Sequence, residues 1–65
     1  MLNTAPNLAN PDAAYAKLIA AHDGLTEAES HALNARLILL LMNHIGDAVV
    51  LDAALAKALD PRADR

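Results

Sequence analysis

The chain has no cysteine, phenylalanine or tryptophan, a single aromatic ring at Tyr15, and only two glycines in 65 residues. Each absence removes an option. Without cysteine there is neither a disulfide framework nor a thiolate metal site, two usual staples of a domain this short. Two glycines, at Gly24 and Gly46, do not make a glycine-rich phosphate loop. A chain of this length holds at most one small domain, which buries only about 60% of its unfolded surface. That excludes a catalytic barrel, a dinucleotide fold and a two-domain cleft. Positive charge is also scarce. Lys17, Arg36, Lys57, Arg62 and Arg65 are spread along the chain without a basic block, and eight acidic residues bring the net charge to -3. A nucleic-acid binder needs a concentrated basic face to displace phosphate counterions, so no nucleic-acid partner is expected. The longest run of large apolar residues, Leu37 to Met42, is far below the ~20 needed to span a bilayer. Met1 to Asn10 carries no basic residue and no apolar stretch of the kind a secretory signal has. No membrane association is expected, and a cytoplasmic location is.

What remains is a helical composition: 55% of residues are hydrophobic and 16 are alanine, so stability must come from helix packing or from a partner. Asn10-Pro11-Asp12 reads as a helix start. Asn is a good N-cap, Pro tolerates the first helical position, and Asp favours the positive end of the dipole. Helix 1 is predicted over 11–23. Tyr15, Leu18, Ile19 and His22 form a stripe toward a core, and Gly24 supplies the left-handed stop. Thr26 and Glu29 fit a capping box. Helix 2 runs from there over 27–45, roughly 28 Å at 1.5 Å per residue, and ends at Gly46. Asp47 caps helix 3, predicted over 47–59 with Ala48, Leu51, Leu55, Ala58 and Leu59 as its stripe, until Pro61 ends it. The fold class is all-α: a small three-helix domain over 11–60 with a long central apolar helix, an N-terminal arm over 1–10 and a polar tail over 61–65.

Helix 2 holds more apolar surface than two thin neighbours can cover. In its second half Ile38, Leu41 and Ile45 occupy one side, Leu33, Leu37 and Leu40 a second, and Ala35, Leu39 and Met42 a third, with a polar strip at Arg36 and Asn43. A helix apolar nearly all round is expected to be buried all round. Two readings stand. The three helices, with Leu2 and Leu8 of the arm folded across, close the core unaided; or the surplus is an exposed patch for another chain. The second is preferred, with Leu37, Ile38, Leu41, Met42 and Ile45 as interface residues and a protein partner or a second copy as occupant.

Chemistry is thinly represented. No pair among His22, His31 and His44 has the i, i+4 spacing of a helical zinc site. His22 and His44 sit in last turns, where imidazolium suits the carbonyl end of a helix, and His31 pairs with Glu27 at i, i+4. The corner Asn43, His44, Gly46 and Asp47 concentrates polar groups at one end of helix 2. It could set His44 against Asp47 in a base-and-orienter geometry, but capping explains each position, and no nucleophile stands nearby. No catalytic residue, metal or cofactor is expected. A small His/Asp metal-binding protein remains the lesser alternative.

At Ala32-Leu33-Asn34-Ala35-Arg36-Leu37 and Asn43-His44-Ile45-Gly46-Asp47 the chain resembles a family of very short proteobacterial, all-helical proteins of unknown function. Leu2 to Leu8 and Ala20 to Leu25 are similar too, so the resemblance covers nearly the whole chain. Members are sometimes labelled as related to extradiol (biphenyl-diol) dioxygenases of aromatic degradation. In the two-chain enzymes of that type a small all-helical subunit packs over the iron site of the large subunit, and the label implies kinship with it. The large subunit's iron ligands have no counterpart here. The resemblance therefore implies a non-catalytic accessory subunit for an oxygenase or hydroxylase of aromatic catabolism, with a self-associating homodimer as the alternative.

Overall fold

A computed structural model describes residues 2–62. It contains three helices, α1 (Pro11–His22), α2 (Glu27–Ile45) and α3 (Ala48–Leu59), and no strand among the described residues. The all-α expectation is met. Residues 3–10 are exposed and precede the first helix. Of the arm assigned to 1–10, residue 1 lies outside the described residues, and so do residues 63–65 of the tail.

Local chemistry sets each boundary. Asn10 takes the Ala13 N–H on its side-chain oxygen at 3.0 Å, with Pro11 as the first helical residue. Thr26 and Glu29 close the capping box in both directions: the Glu29 N–H donates to the Thr26 hydroxyl at 3.1 Å, and the Thr26 N–H to Glu29 Oε1 at 2.9 Å. Asp47 receives the N–H groups of Val49 and Val50 on Oδ1, at 3.0 and 3.3 Å. Gly24 and Gly46 have φ of +77° and +67°, the left-handed conformation that costs glycine nothing. Gly46 passes its N–H back to the Met42 carbonyl at 2.9 Å. Asp23 is the C-cap of α1 with extended backbone, so that helix ends one residue earlier than expected, and Asp47 is the N-cap of α3 as expected, the helix itself starting at Ala48.

Packing departs further from the sequence reading. Among the described residues none is buried. Within the helices the half-buried positions are few: Ala14 and His22 on α1, Ser30, Leu33, Asn34, Leu37 and Met42 on α2, and Val50, Leu51, Ala53 and Ala54 on α3. The expected stripe of α1 is kept at Leu18 and His22, which face α2, and is rotated at its other two positions. Tyr15 and Ile19 are 65% and 52% exposed, while Ala14 and His22 are the half-buried positions of α1. On α3, Leu55 and Leu59 are likewise exposed. Leu2 is half-buried but Leu8 is exposed, so the arm does not seal a core. α2 is the longest element at 19 residues, but it is not enclosed by its neighbours.

The surface area measures the shortfall. The chain exposes 5789 Å², whereas a compact monomer of 6.8 kDa exposes about 4,000 Å². The radius of gyration is 13.3 Å, against about 11 Å for a compact chain of this length. The exposed arm accounts for part of the difference. Exposed apolar residues on the helices, such as Tyr15, Leu40, Val49 and Leu59, add to it.

Candidate interaction surface

The interface residues named from sequence separate into two groups. Leu37 is half-buried and lines the α1–α2 side, where Ala14, Leu18 and Ala21 of α1 meet Leu33, Leu37 and Leu40 of α2, with Lys17 and Arg36 at its edge. Ile38, Leu41, Met42 and Ile45 line a different groove, opposite Leu51, Ala54, Leu55 and Ala58 of α3. The division follows from which neighbour each face of α2 meets. α1 faces Leu33, Asn34 and Leu37, which share one side of α2, and α3 folds back from Gly46 over the adjacent face at the C-terminal end. Leu39 belongs to neither group. It lies with Arg36, Leu40 and Asn43 on an outer face.

The α2–α3 groove is lined only by aliphatic side chains, alanine and one methionine. Ile38, Leu41 and Ile45 are 55%, 51% and 48% exposed. A leucine or isoleucine stabilises a structure by about 1.5–3 kcal/mol when fully buried, so half of that driving force is unused at each of three neighbouring positions. Leu55 and Leu59 add exposed apolar surface on α3.

The polar corner is a capping device. Gly46 ends α2, Asp47 starts α3 through the two N–H groups it accepts, and His44 lies exposed in the last turn of α2. Among the described residues no hydrogen bond joins His44 to Asp47. Asn43 is turned to the outer face with Arg36 and Leu39, so the four residues do not converge. Nor do the histidines: among the described residues no three His, Asp or Glu side chains stand close enough to hold a metal ion. His31 Nε2 lies 3.6 Å from Glu27 Oε1, both exposed, a surface pair worth little.

Sequence reasoning missed one contact. His22 Nδ1 donates to the Leu18 carbonyl at 2.7 Å, and Nε2 lies 2.8 Å from Oδ1 of the Asn34 side chain. The Leu18 carbonyl only accepts, so Nδ1 carries the proton. Nε2 then either donates to Oδ1 as part of an imidazolium, or accepts from the Asn34 amide turned to present its NH₂. Both arrangements satisfy the ring. The available clue was His22 at the end of an otherwise apolar stripe, which calls for a polar partner on the facing helix.

Among the described residues, one carboxyl is clearly perturbed, at the start of α2. The Thr26 backbone N–H, helped by the Thr26 hydroxyl, holds the Glu29 carboxyl below its ordinary pKa.

Fold and surface together define a small all-α protein whose polar groups are spent on helix ends and whose apolar faces are open. The chain belongs to a family described as protein of unknown function (DUF2783), which it matches over residues 2–60. No curated protein and no solved structure matches it. No helix among the described residues is long and apolar enough to cross a membrane.

Proposed function

We propose that this chain is a non-catalytic helical accessory protein, which works by laying its open apolar faces against another protein surface. The observation that carries this reading is the absence of any buried side chain among the described residues of a chain that is 55% hydrophobic. Such a chain gains most of its packing on association. The open faces are the α2–α3 groove at Ile38, Leu41, Met42 and Ile45, the α1 side at Leu37, and the exposed Tyr15, Ile19, Leu39 and Leu40. Of the corner residues, Asn43 on the outer face and the exposed His44 keep side chains that the caps do not use, and they orient the contact as a few placed polar groups do beside an apolar interface core.

The finer proposal names the class of target. The resemblance to short proteobacterial proteins labelled as extradiol dioxygenase-related favours a cytoplasmic oxygenase or hydroxylase of aromatic catabolism. The accessory chain would exclude water from that enzyme's site or stabilise its fold by binding the native state. Affinity purification of the tagged chain from its native host, followed by mass spectrometry, tests both levels. An aromatic-ring oxygenase or hydroxylase is expected in stoichiometric amount, with a higher unfolding temperature when the two are remixed. Turnover by the purified chain, or stoichiometric iron or zinc bound to it, would overturn the accessory reading.

A further inference from the structure

We infer that the α2–α3 groove is closed by the same groove of a second copy of this chain, forming a two-fold pair of helical hairpins. The inference rests on the accessory reading above and assigns one of its faces. Four observations support a second copy over a foreign chain. The groove is formed by Ile38, Leu41 and Ile45 opposite Leu51, Leu55 and Ala58, without a charged or hydrogen-bonding side chain in its lining. It therefore offers no polar feature to select a foreign partner, while its own twin presents an equally uncharged face and buries no unpaired polar group. Next is area. The chain exposes 5789 Å², about 1,800 Å² more than a compact monomer of its mass, and a standard interface removes about 800 Å² per partner. That surplus is about twice what one partner loses in a standard interface, and part of it lies on the exposed arm.

The third observation is length. The lining residues 38–45 of α2 and 51–58 of α3 each extend about 12 Å along their axes, so either side of one groove matches either side of another. The last is connectivity. Gly46 and Asp47 alone join α2 to α3, which makes the pair a hairpin. Two hairpins face to face complete a four-helix arrangement with an isologous interface. Pairing through the groove leaves Tyr15, Ile19, Leu39 and Leu40 exposed on other faces, available to an enzyme target.

Sedimentation equilibrium of the full chain tests the inference, joined to isotope-filtered NOE measurements on a mixture of labelled and unlabelled chains. Twice the chain mass is expected, with intermolecular NOEs from the methyl groups of Ile38, Leu41 or Ile45. Leu41→Lys should weaken association on the order of a hundredfold, because its ammonium would be buried unpaired; Leu39→Lys, on the outer face, should leave association unchanged. NOEs confined to Tyr15, Ile19 or Leu39, or a trimer or larger assembly, would overturn the pairing. So would a monomer at all concentrations. If that monomer keeps its helices and binds an apolar dye, the accessory reading stands without the dimer. If it keeps them and binds none, both fall.

Discussion

His22 on α1 and Asn34 on α2 form a hydrogen bond between helices, with the histidine Nε2 2.8 Å from the amide while its Nδ1 is held by the Leu18 carbonyl. Among the described residues it is the only side-chain hydrogen bond between two helices. In a structure without a buried core, one fixed polar contact has unusual weight in setting how α1 lies on α2. A half-buried hydrogen bond contributes about 0.5–1.5 kcal/mol. A double-mutant cycle with His22→Ala and Asn34→Ala, followed by chemical denaturation, should return a coupling in that range. Additivity within a few tenths of a kcal/mol would show that the pair does not set the crossing.

The rotated stripe of α1 gives a second prediction. Ala14 is half-buried and Tyr15 is exposed, so Ala14→Asp should destabilise the chain more than Tyr15→Ala does, although Tyr15 is by far the larger side chain. Thermal unfolding followed by circular dichroism compares them. The reverse order would restore Tyr15 to the packed side.

Gly46 provides a third. A Cβ there would meet nothing closer than the Asn43 carbonyl at 3.7 Å, an ordinary contact, but φ is +67°. Gly46→Ala should therefore cost about 1–2 kcal/mol through backbone conformation alone, and Gly46→Asn less, since asparagine tolerates that region. Equal costs for the two variants would mean that a clash, not φ, decides.

The capping box predicts a pH dependence. The Thr26 N–H and hydroxyl lower the pKa of Glu29 in the folded state. A carboxylate with a depressed folded pKa contributes stability that is fully present above its unfolded pKa, about 4.3 for glutamate, and is lost as pH falls through the lower folded value. Wild-type α2 should lose stability below that pH, and Glu29→Gln should flatten this part of the profile. Thr26→Ala should cost about 1 kcal/mol at neutral pH by removing the cap. A profile unchanged by Glu29→Gln would assign the acid loss to other carboxylates.

The helices were legible because their ends are written locally. Asn10-Pro11, the Thr26–Glu29 box, Gly46 and Asp47 each act within three or four residues, and each appears where its chemistry predicts. Helix orientation was not legible to the same degree. In an alanine-rich helix such as α1, Ala14 and Ala21 offer a packing face as smooth as the one containing Tyr15 and Ile19, so periodicity does not choose between them. The candidate surface shows the same limit. The apolar excess of α2 could be read from Ile38 to Ile45, but its division, with Leu37 toward α1 and Ile38, Leu41, Met42 and Ile45 toward α3, depends on how α3 folds back after Gly46. That is a tertiary property. His44 and Asp47 are neighbours in sequence, yet the carboxylate of Asp47 is used on Val49 and Val50.

The central claim is that this chain does not bury enough of its own apolar surface to be a self-sufficient domain. Amide hydrogen exchange measures this directly on the isolated chain, diluted until sedimentation shows a monomer. The account predicts that amides of residues 33–45 in α2 exchange with opening free energies below about 3 kcal/mol, under the 5–15 kcal/mol of ordinary domains. Protection of 5 kcal/mol or more in the dilute monomer would contradict it, because the three helices would then be holding themselves together.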